Sequence, residues 1–512
     1  MILVLNLGLK SIRAVIFDGE GRKRRVASRA VPTFLKTGEV EQDPEEWWSA
    51  ALSVMREALQ DRDVRRTVRA VTVTTSACNL VCVNGEGKSL RNAIIVSDTR
   101  ARREAAEIAE SAPFRDLTAR RPNQRAEPSM AIPRLLWLRE HEPEVFAAAR
   151  WFYASNDFLV HRLTGCVVTD PLNAEKAGYD PHAGAYAEEL MRYLELPLEK
   201  LPPVQPQLST AGYLTEQVKR LAGFGPGSGN IPVILTTYDA ICAVFGSGVA
   251  GPGLACDVSG TVTSLRAAVT DPGNGPKSGL FSQFDSSTGL HIVGGSNNLG
   301  GGLIEWARQC FYAGDESAYQ DMEVEAAEAG LGAEGLVFLP WLLGERAPLW
   351  DQDARGVFFG LERRHSRKHL IRAVLESAAL AMVFLKEALE ARTGPIRSLR
   401  VSGGLARLKI MASLKADILG VEVEVPAEFE STALGACLLC RVAIGSFSSI
   451  QEACSIVDIR EVVRPDRVNT PKYKQLIAFF KDLYAACRPL YEKRRELVTR
   501  LYDTETVCIG NL

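Results

Sequence analysis

Asp239 is the residue best placed to do acid–base chemistry in this chain. The run Ile231-Pro232-Val233-Ile234-Leu235-Thr236-Thr237 reads as a strand; Tyr238-Asp239 follows, and a small apolar, helix-like run leads to Gly246-Ser247-Gly248. A carboxylate at the C-terminal edge of a parallel strand sits where open α/β folds bind ligands. There it would serve as a base toward an attacking hydroxyl. A plainer role is also open, since Asp at a helix start caps the first N–H groups, and the two roles are compatible. Two turns offer anion sites: Asn6-Leu7-Gly8-Leu9-Lys10 before Ser11, and Ser259-Gly260-Thr261-Val262-Thr263. Backbone N–H groups in a tight turn converge on a phosphate, and glycine lets it come close. A third glycine cluster, Gly403-Gly404, follows the strand-like residues 398–401, where a flat base would lie against the backbone.

The elements that carry these residues are α/β in pattern. Ser11-Ile12-Arg13-Ala14-Val15-Ile16-Phe17-Asp18 resembles Ser264-Leu265-Arg266-Ala267-Ala268-Val269-Thr270-Asp271, and each follows one of the two turns. Each copy reads as strand, tight turn, strand. At 512 residues the chain exceeds one core, so two related domains are expected. The first runs over 1–251, ending at the Gly/Pro-rich stretch 249–253, and the second over 252–445. Residues 446–512 form a C-terminal helical extension packed on the body, because Tyr473, Leu476, Phe479, Phe480, Leu483 and Tyr484 recur at helical spacing between Thr470 and Asp503. Gly225-x-Gly227-x-Gly229 precedes a strand rather than following one, so it is not a dinucleotide fingerprint.

Composition narrows the partners. A net charge of −2 supplies no basic field for nucleic acid or an anionic membrane. Arg22-Lys23-Arg24-Arg25 reads as a solvated hairpin tip, and Lys493-Arg494-Arg495 as a solvated helix face. No apolar run approaches the roughly 20 residues that span a bilayer, and the apolar start Met1-Ile2-Leu3-Val4-Leu5 lacks the parts of a signal peptide. Eleven scattered cysteines fit free thiols in the cytoplasm. Cys437-x-x-Cys440 has no second pair or nearby His to complete a metal site, and reads as core thiols in a helix.

The longest patterned stretch gives these features a context. It runs Gly335-Leu336-Val337-Phe338-Leu339-Pro340-Trp341, Gly344-Glu345-Arg346-Ala347-Pro348, Trp350-Asp351, Ala354-Arg355-Gly356-Val357-Phe358-Phe359-Gly360-Leu361 and His369-Leu370-Ile371-Arg372-Ala373-Val374-Leu375-Glu376. It closely resembles the second signature of the FGGY carbohydrate kinases, which transfer a phosphoryl group from ATP to a sugar or polyol. The resemblance extends from Leu3 to about Gly445, through Gly38-Glu39-Val40-Glu41-Gln42-Asp43-Pro44 and Asn156-Asp157-Phe158-Leu159. It implies two actin-like ATPase (ribonuclease H-like) domains with a cleft between them, and ATP and Mg²⁺ as cofactors. It also implies a cytoplasmic enzyme, with a homodimer as one open arrangement.

Residue by residue, the resemblance makes Asp239 the catalytic base and a neighbour of the metal. It places phosphate at Gly8, Lys10 and Ser11 and at Gly260 and Thr261. Adenine falls at Gly301, Gly403 and Gly404, and sugar at Cys78, Asn79, Asp98 and Asp239. The chain also departs from the family pattern. Asn6 stands where the family has an Asp that holds Mg²⁺ through water, which removes one negative charge. Leu9 removes a hydroxyl. Lys10 either replaces part of the metal's charge beside the phosphates or points to solvent. Ser76, Ala77, Cys78 and Asn79 replace a Gln followed, in xylulose kinases, by Met-His-Gly, so plain xylulose is not the expected substrate. Ser76-Ala77-Cys78 is loosely similar to the autoinducer-2 kinases. Asp98 and Arg100 either bind substrate hydroxyls or pair with each other. Two functions follow: an active sugar or polyol kinase with an unusual substrate, or a pseudokinase that binds sugar or nucleotide as a sensor. A protein unrelated to kinases would require the 335–376 match to be accidental.

Overall fold

The computed structural model describes residues 1–120, 126–181, 183–225, 228–273, 279–315 and 317–502. Gly227 of the Gly-x-Gly-x-Gly stretch and Asp503 at the end of the tail lie outside the described residues. The chain divides into two compact units. The first comprises Met1–Gly248, Gln283–Leu290 and Glu430–Val457, and the second Val249–Ser282, His291–Phe429 and Asp458–Leu512. This division differs from a single cut near Gly251, because the helix Ser431–Ala443 belongs to the first unit.

Each unit is built on a sheet of the same design. In the first the strand order is Thr210–Tyr213, Pro232–Ile234, Ala70–Thr75, Ile2–Leu7, Ser11–Phe17, Lys23–Ala30. Ile2–Leu7 pairs antiparallel with Ser11–Phe17 and parallel with Ala70–Thr75, which in turn runs parallel to Pro232–Ile234. In the second, Leu254–Ser259 pairs antiparallel with Thr263–Val269 and parallel with Ser398–Ser402, followed by parallel Glu422–Pro426 and antiparallel Ile459–Val463. Outside each hairpin lies an antiparallel strand, Lys23–Ala30 in one and Leu290–Ser296 in the other. Every pairing direction repeats, so the echo between residues 11–18 and 264–271 marks the same strand of a duplicated sheet. Phe281–Asp285 adds a seventh strand to the second sheet.

Central strands are apolar because both faces are covered. Ala70–Thr75 is buried along its whole length. The Thr72 hydroxyl donates to the Ile234 carbonyl at 3.0 Å and bonds the Thr236 hydroxyl at 2.9 Å, so its burial carries no unmet polar group. In the second unit the helix Arg367–Thr393 and the tail helix Asn469–Leu501 close the core. Tyr473, Phe480, Leu483 and Tyr484 are buried, whereas Phe479 lies off that face and is 42 % exposed. The Trp341 ring centre is 4.5 Å from that of Tyr484 and 5.7 Å from that of Phe480. No helix among the described residues is long and apolar enough to cross a membrane. Cys437 and Cys440 are buried free thiols.

The helix Asp239–Gly246 is seated by glycine. It lies against Ser431–Ala443, and a Cβ on Gly246 would overlap the Ser431 carbonyl, while one on Gly435 would overlap the Cys242 carbonyl. Two backbones thus meet with no side chain between them. The Cys454 thiol also meets the Phe245 carbonyl at 3.2 Å. A methyl group at Gly435 must push the helices apart. Gly435→Ala is expected to cost about 3 kcal/mol, read as a lower midpoint of urea unfolding. An unchanged midpoint would show that the contact is slack.

Candidate active site

Asp239 stands where two parallel strands of the first unit end side by side. Ala70–Thr75 runs into Ser76, and Pro232–Ile234 continues into Tyr238 and Asp239. The Ser76 hydroxyl donates to Asp239 Oδ2 at 3.2 Å, and the Ala240 N–H donates to Oδ1 at 2.7 Å. Tyr238 occupies the N-cap position and Asp239 is the first helical residue, so the expected cap is displaced by one position. Its carboxylate still serves the helix start, where the positive end of the helix dipole favours a negative charge.

The segment after Ser76 is held by residues that the sequence reading did not single out. Cys78 has φ of 61°, an uncommon conformation for a residue with a side chain. Its carbonyl accepts from Arg134, a fully buried side chain on the helix Ala131–His141. The same guanidinium donates to the carbonyls of Pro128 at 3.0 Å, Ile94 at 3.3 Å, Ile95 at 2.6 Å and Asp98 at 3.4 Å. Five donors against five carbonyls make burial of the charge tolerable. Burial lowers the Arg134 pKa to about 10, still well above neutrality.

Two of the expected sugar-side residues have internal partners. Asn79 is buried, and its amide donates to the Ser76 carbonyl and the Ser155 hydroxyl, both at 3.2 Å, while its oxygen accepts from the Val96 N–H at 3.0 Å. It braces the loop. Asp98 is 1 % exposed, accepts the Val40 N–H at 2.6 Å and forms a closed pair with Arg100 at 2.8 Å. Of the two roles open to Asp98, the structural pair is the one in place. Cys78 and Asn79 line a cavity of about 30 Å³ with Asp157, Asn173 and Lys176, room for about one water molecule. Burial pushes the Cys78 thiol pKa up, which leaves it a weak nucleophile.

At the first hairpin, the Gly8 N–H donates to the Ser11 carbonyl at 2.9 Å. The Gln42 amide pins the tip by donating to the Leu9 carbonyl at 2.7 Å, and the Val31 N–H bonds the Lys10 carbonyl at 3.0 Å. Asn6 lies opposite Arg13 and beside Thr74 in the sheet. The Lys10 side chain is exposed and makes no ion pair among the described residues. Arg13 is paired with Glu430 at 2.6 Å.

The second hairpin is stapled from below. The Ser259 hydroxyl donates to Asp257 at 2.6 Å and meets the Thr263 hydroxyl at 3.0 Å, and Lys415 forms a buried ion pair with Asp257. The carbonyls of Gly260 and Thr261 accept the N–H groups of Gly301, at 2.8 Å, and of Gly300 and Gly302, at 2.9 and 3.0 Å. A Cβ on Gly301 would come within 2.6 Å of the Gly260 carbonyl. Gly403, at φ of 84°, has no room for a Cβ beside the Ser259 carbonyl. Gly404 faces open space. The second unit therefore brings Gly260, Thr261, Gly301, Gly403 and Gly404 together, and two of these glycines are required by packing alone.

The long signature is mostly framework. Glu376 accepts from Arg372 at 2.7 Å, from the Tyr473 hydroxyl at 2.7 Å and from the Gly332 N–H at 2.9 Å, which fastens the tail helix. Glu345 accepts the N–H groups of Asn298, at 3.0 Å, and Arg346, at 2.7 Å. It thereby fixes the approach to Gly300-Gly301-Gly302. Burial raises the Glu345 pKa to about 7.

The FGGY family of carbohydrate kinases matches twice, its N-terminal domain over residues 1–246 and its C-terminal domain over residues 259–444. A glycerol kinase of Koribacter versatilis is 30 % identical over 465 residues, covering 88 % of this chain and 91 % of that protein. A gluconokinase of Bacillus subtilis is 25 % identical over 494 residues, covering 94 % and 95 %. The solved structure of a ligand-bound xylulose kinase from Lactobacillus acidophilus matches with a TM-score of 0.87 at 25 % identity, covering 96 % of this chain and 100 % of that one.

Glu345 yields a pH prediction. Its pKa is raised from an ordinary 4.5 to about 7, so the folded state holds a proton that the unfolded state has released. The stabilisation is full below about pH 4.5 and is lost as pH rises through about 7, amounting to at most about 3 kcal/mol. Glu345→Gln keeps the acceptor oxygen and removes the titration. Urea unfolding across pH 4.5 to 8 should show a smaller decline for the variant than for the wild type; equal slopes would place the titration elsewhere.

Proposed function

Because the chain belongs to the FGGY family of carbohydrate kinases, ATP-dependent phosphotransferases with alcohol acceptors, we propose that Asp239 is the base of this reaction. The observation that supports this reading is the carboxylate held at the ends of two parallel strands by Ser76 and the Ala240 N–H. The acceptor oxygen attacks the γ-phosphorus of ATP, its proton passes to Asp239, and the bond to the β-phosphate oxygen breaks to release ADP. In the first unit, Gly8, Lys10 and Ser11 supply one phosphate-binding turn. In the second, Gly260 and Thr261 supply another, and Gly301, Gly403 and Gly404 receive the adenine. Ser76 orients the base. Cys78 shapes the sugar side through its backbone, with Asn79 and Asp98 acting as braces behind it.

Mg²⁺ fits this site on reduced protein charge. Asp239 offers a carboxylate, and Asn6 offers a neutral oxygen to a metal-bound water. The one cluster of three metal-ligating groups among the described residues, Glu104, Glu140 and His141, lies on other elements. Phosphate oxygens and water would therefore have to supply most of its coordination. When bound, the ion neutralises charge on the transferring phosphoryl group. The sensor alternative has no support in the relatives, which are named as kinases.

Two measurements test the reading. Asp239→Asn should lower acceptor-dependent ADP release by at least about 10³-fold and preserve ATP binding; turnover near the wild-type rate would remove Asp239 from the chemistry. Asn6→Asp should raise turnover at low Mg²⁺ by several-fold. A flat response would show that the missing carboxylate does not limit metal binding.

A further inference from the structure

Three metal-ligating side chains of the first unit meet away from the phosphate-binding turn. Glu104 lies in the first turn of the helix Arg102–Glu110, and Glu140 and His141 end the helix Ala131–His141. Each places a ligand atom within 4.8 Å of the others. Glu104 is 1 % exposed, and its Oε2 is buried with no hydrogen-bond partner among the described residues. A carboxylate oxygen left so is costly until a cation or a donor meets it. The other oxygen accepts from Arg103 at 2.9 Å, and Arg103 also donates to Glu140. His141 is oriented as a nitrogen ligand. Its Nδ1 meets the Trp137 carbonyl at 3.0 Å, and a carbonyl only accepts, so Nδ1 carries the hydrogen and Nε2 the lone pair. The imidazole is stacked on the Trp137 ring, centres 4.8 Å apart and planes 8° from parallel. The free carbonyls at the end of the helix add partial negative charge beside the cluster. Glu140 also lines, with Glu107 and Glu195, a cavity of about 210 Å³, which has room for the water that a bound ion retains.

We propose that Glu104, Glu140 and His141 form a Zn²⁺ site outside the kinase reaction. Two carboxylates and one imidazole, with water as the fourth ligand, are a zinc donor set, whereas Mg²⁺ and Ca²⁺ take oxygen ligands. Tetrahedral ligands at about 2.1 Å from the ion stand about 3.4 Å apart. Rotation of the exposed Glu140 and His141 side chains closes the set to that spacing. The two charges of the ion balance those of Glu104 and Glu140. Arg103, 58 % exposed, then leaves Glu140 for Glu107, which it already approaches at 3.7 Å. The ion clips the helix Arg102–Glu110 to the helix that carries Arg134, the residue bonded to the Cys78 carbonyl.

The test uses the full chain, stripped with a chelator, free of any affinity tag and without nucleotide, titrated with Zn²⁺ by calorimetry. The wild type should bind one ion with a Kd below about 100 µM. Glu104→Gln and His141→Asn should each weaken that binding at least about 10-fold. Millimolar Mg²⁺ should not displace it. Co²⁺ in place of zinc should show no sulfur-to-metal charge-transfer band, which separates the site from the free cysteines of the chain. Wild-type binding weaker than about 100 µM, equal affinity in wild type and variants, displacement by Mg²⁺, or a sulfur band would each overturn the assignment. If Glu104→Gln does not fold, His141→Asn decides alone, because that side chain is exposed at the helix end. An affinity unchanged in His141→Asn then removes the site.

Discussion

Two helices touch backbone to backbone at Gly246 and Gly435, and the placement of Asp239 depends on it. The helix that begins at Asp239 is held in place because its last turn is locked against a neighbour. The neighbour, Ser431–Ala443, also lies against Ile2–Leu7 and Ala70–Thr75, so one element supports the strand ending at Ser76 and the helix starting at Asp239. The Arg13–Glu430 pair fixes the entry to that helix, though at partly exposed side chains it contributes registration more than stability.

The second unit solves a different problem by the same means. A tight turn must keep its N–H groups from collapsing onto the chain. Here the carbonyls of Gly260 and Thr261 are bonded to the start of the helix Gly301–Tyr312, and the hydroxyl of Ser259 is bonded beneath. The Asp257–Lys415 pair is fully buried, and such pairs rarely gain stability over apolar residues of similar size. Its contribution is geometric, because it ties the strand before the turn to the helix Lys409–Leu419.

What the sequence disclosed, and what it hid, follows from the range of each interaction. The duplicated hairpin was legible because alternation and turn glycines are local signals. The position of Asp239 between a strand and a helix start was legible because both flanking patterns are local. The internal partners of Asn79 and Asp98 were not legible, because sequence reveals a polar type and not what it bonds. Arg134 gave no signal, since its Cys78 partner is 56 residues away and its own helix pattern is ordinary. The return of residues 430–457 to the first unit is also a long-range fact. The signature at 335–376 identified the family well, yet Glu376 and Glu345 serve packing and backbone geometry.

The split of the first unit across the chain imposes an order on synthesis. A ribosome has produced Met1–Gly248 long before it reaches Glu430. At about 5–20 residues per second the interval is roughly 10–40 s. Throughout it the nascent chain lacks the helix that covers Gly246 and the adjoining apolar strands. The early half therefore waits as an unfinished fold with a greasy seam, and it closes only when a segment made almost last returns to it.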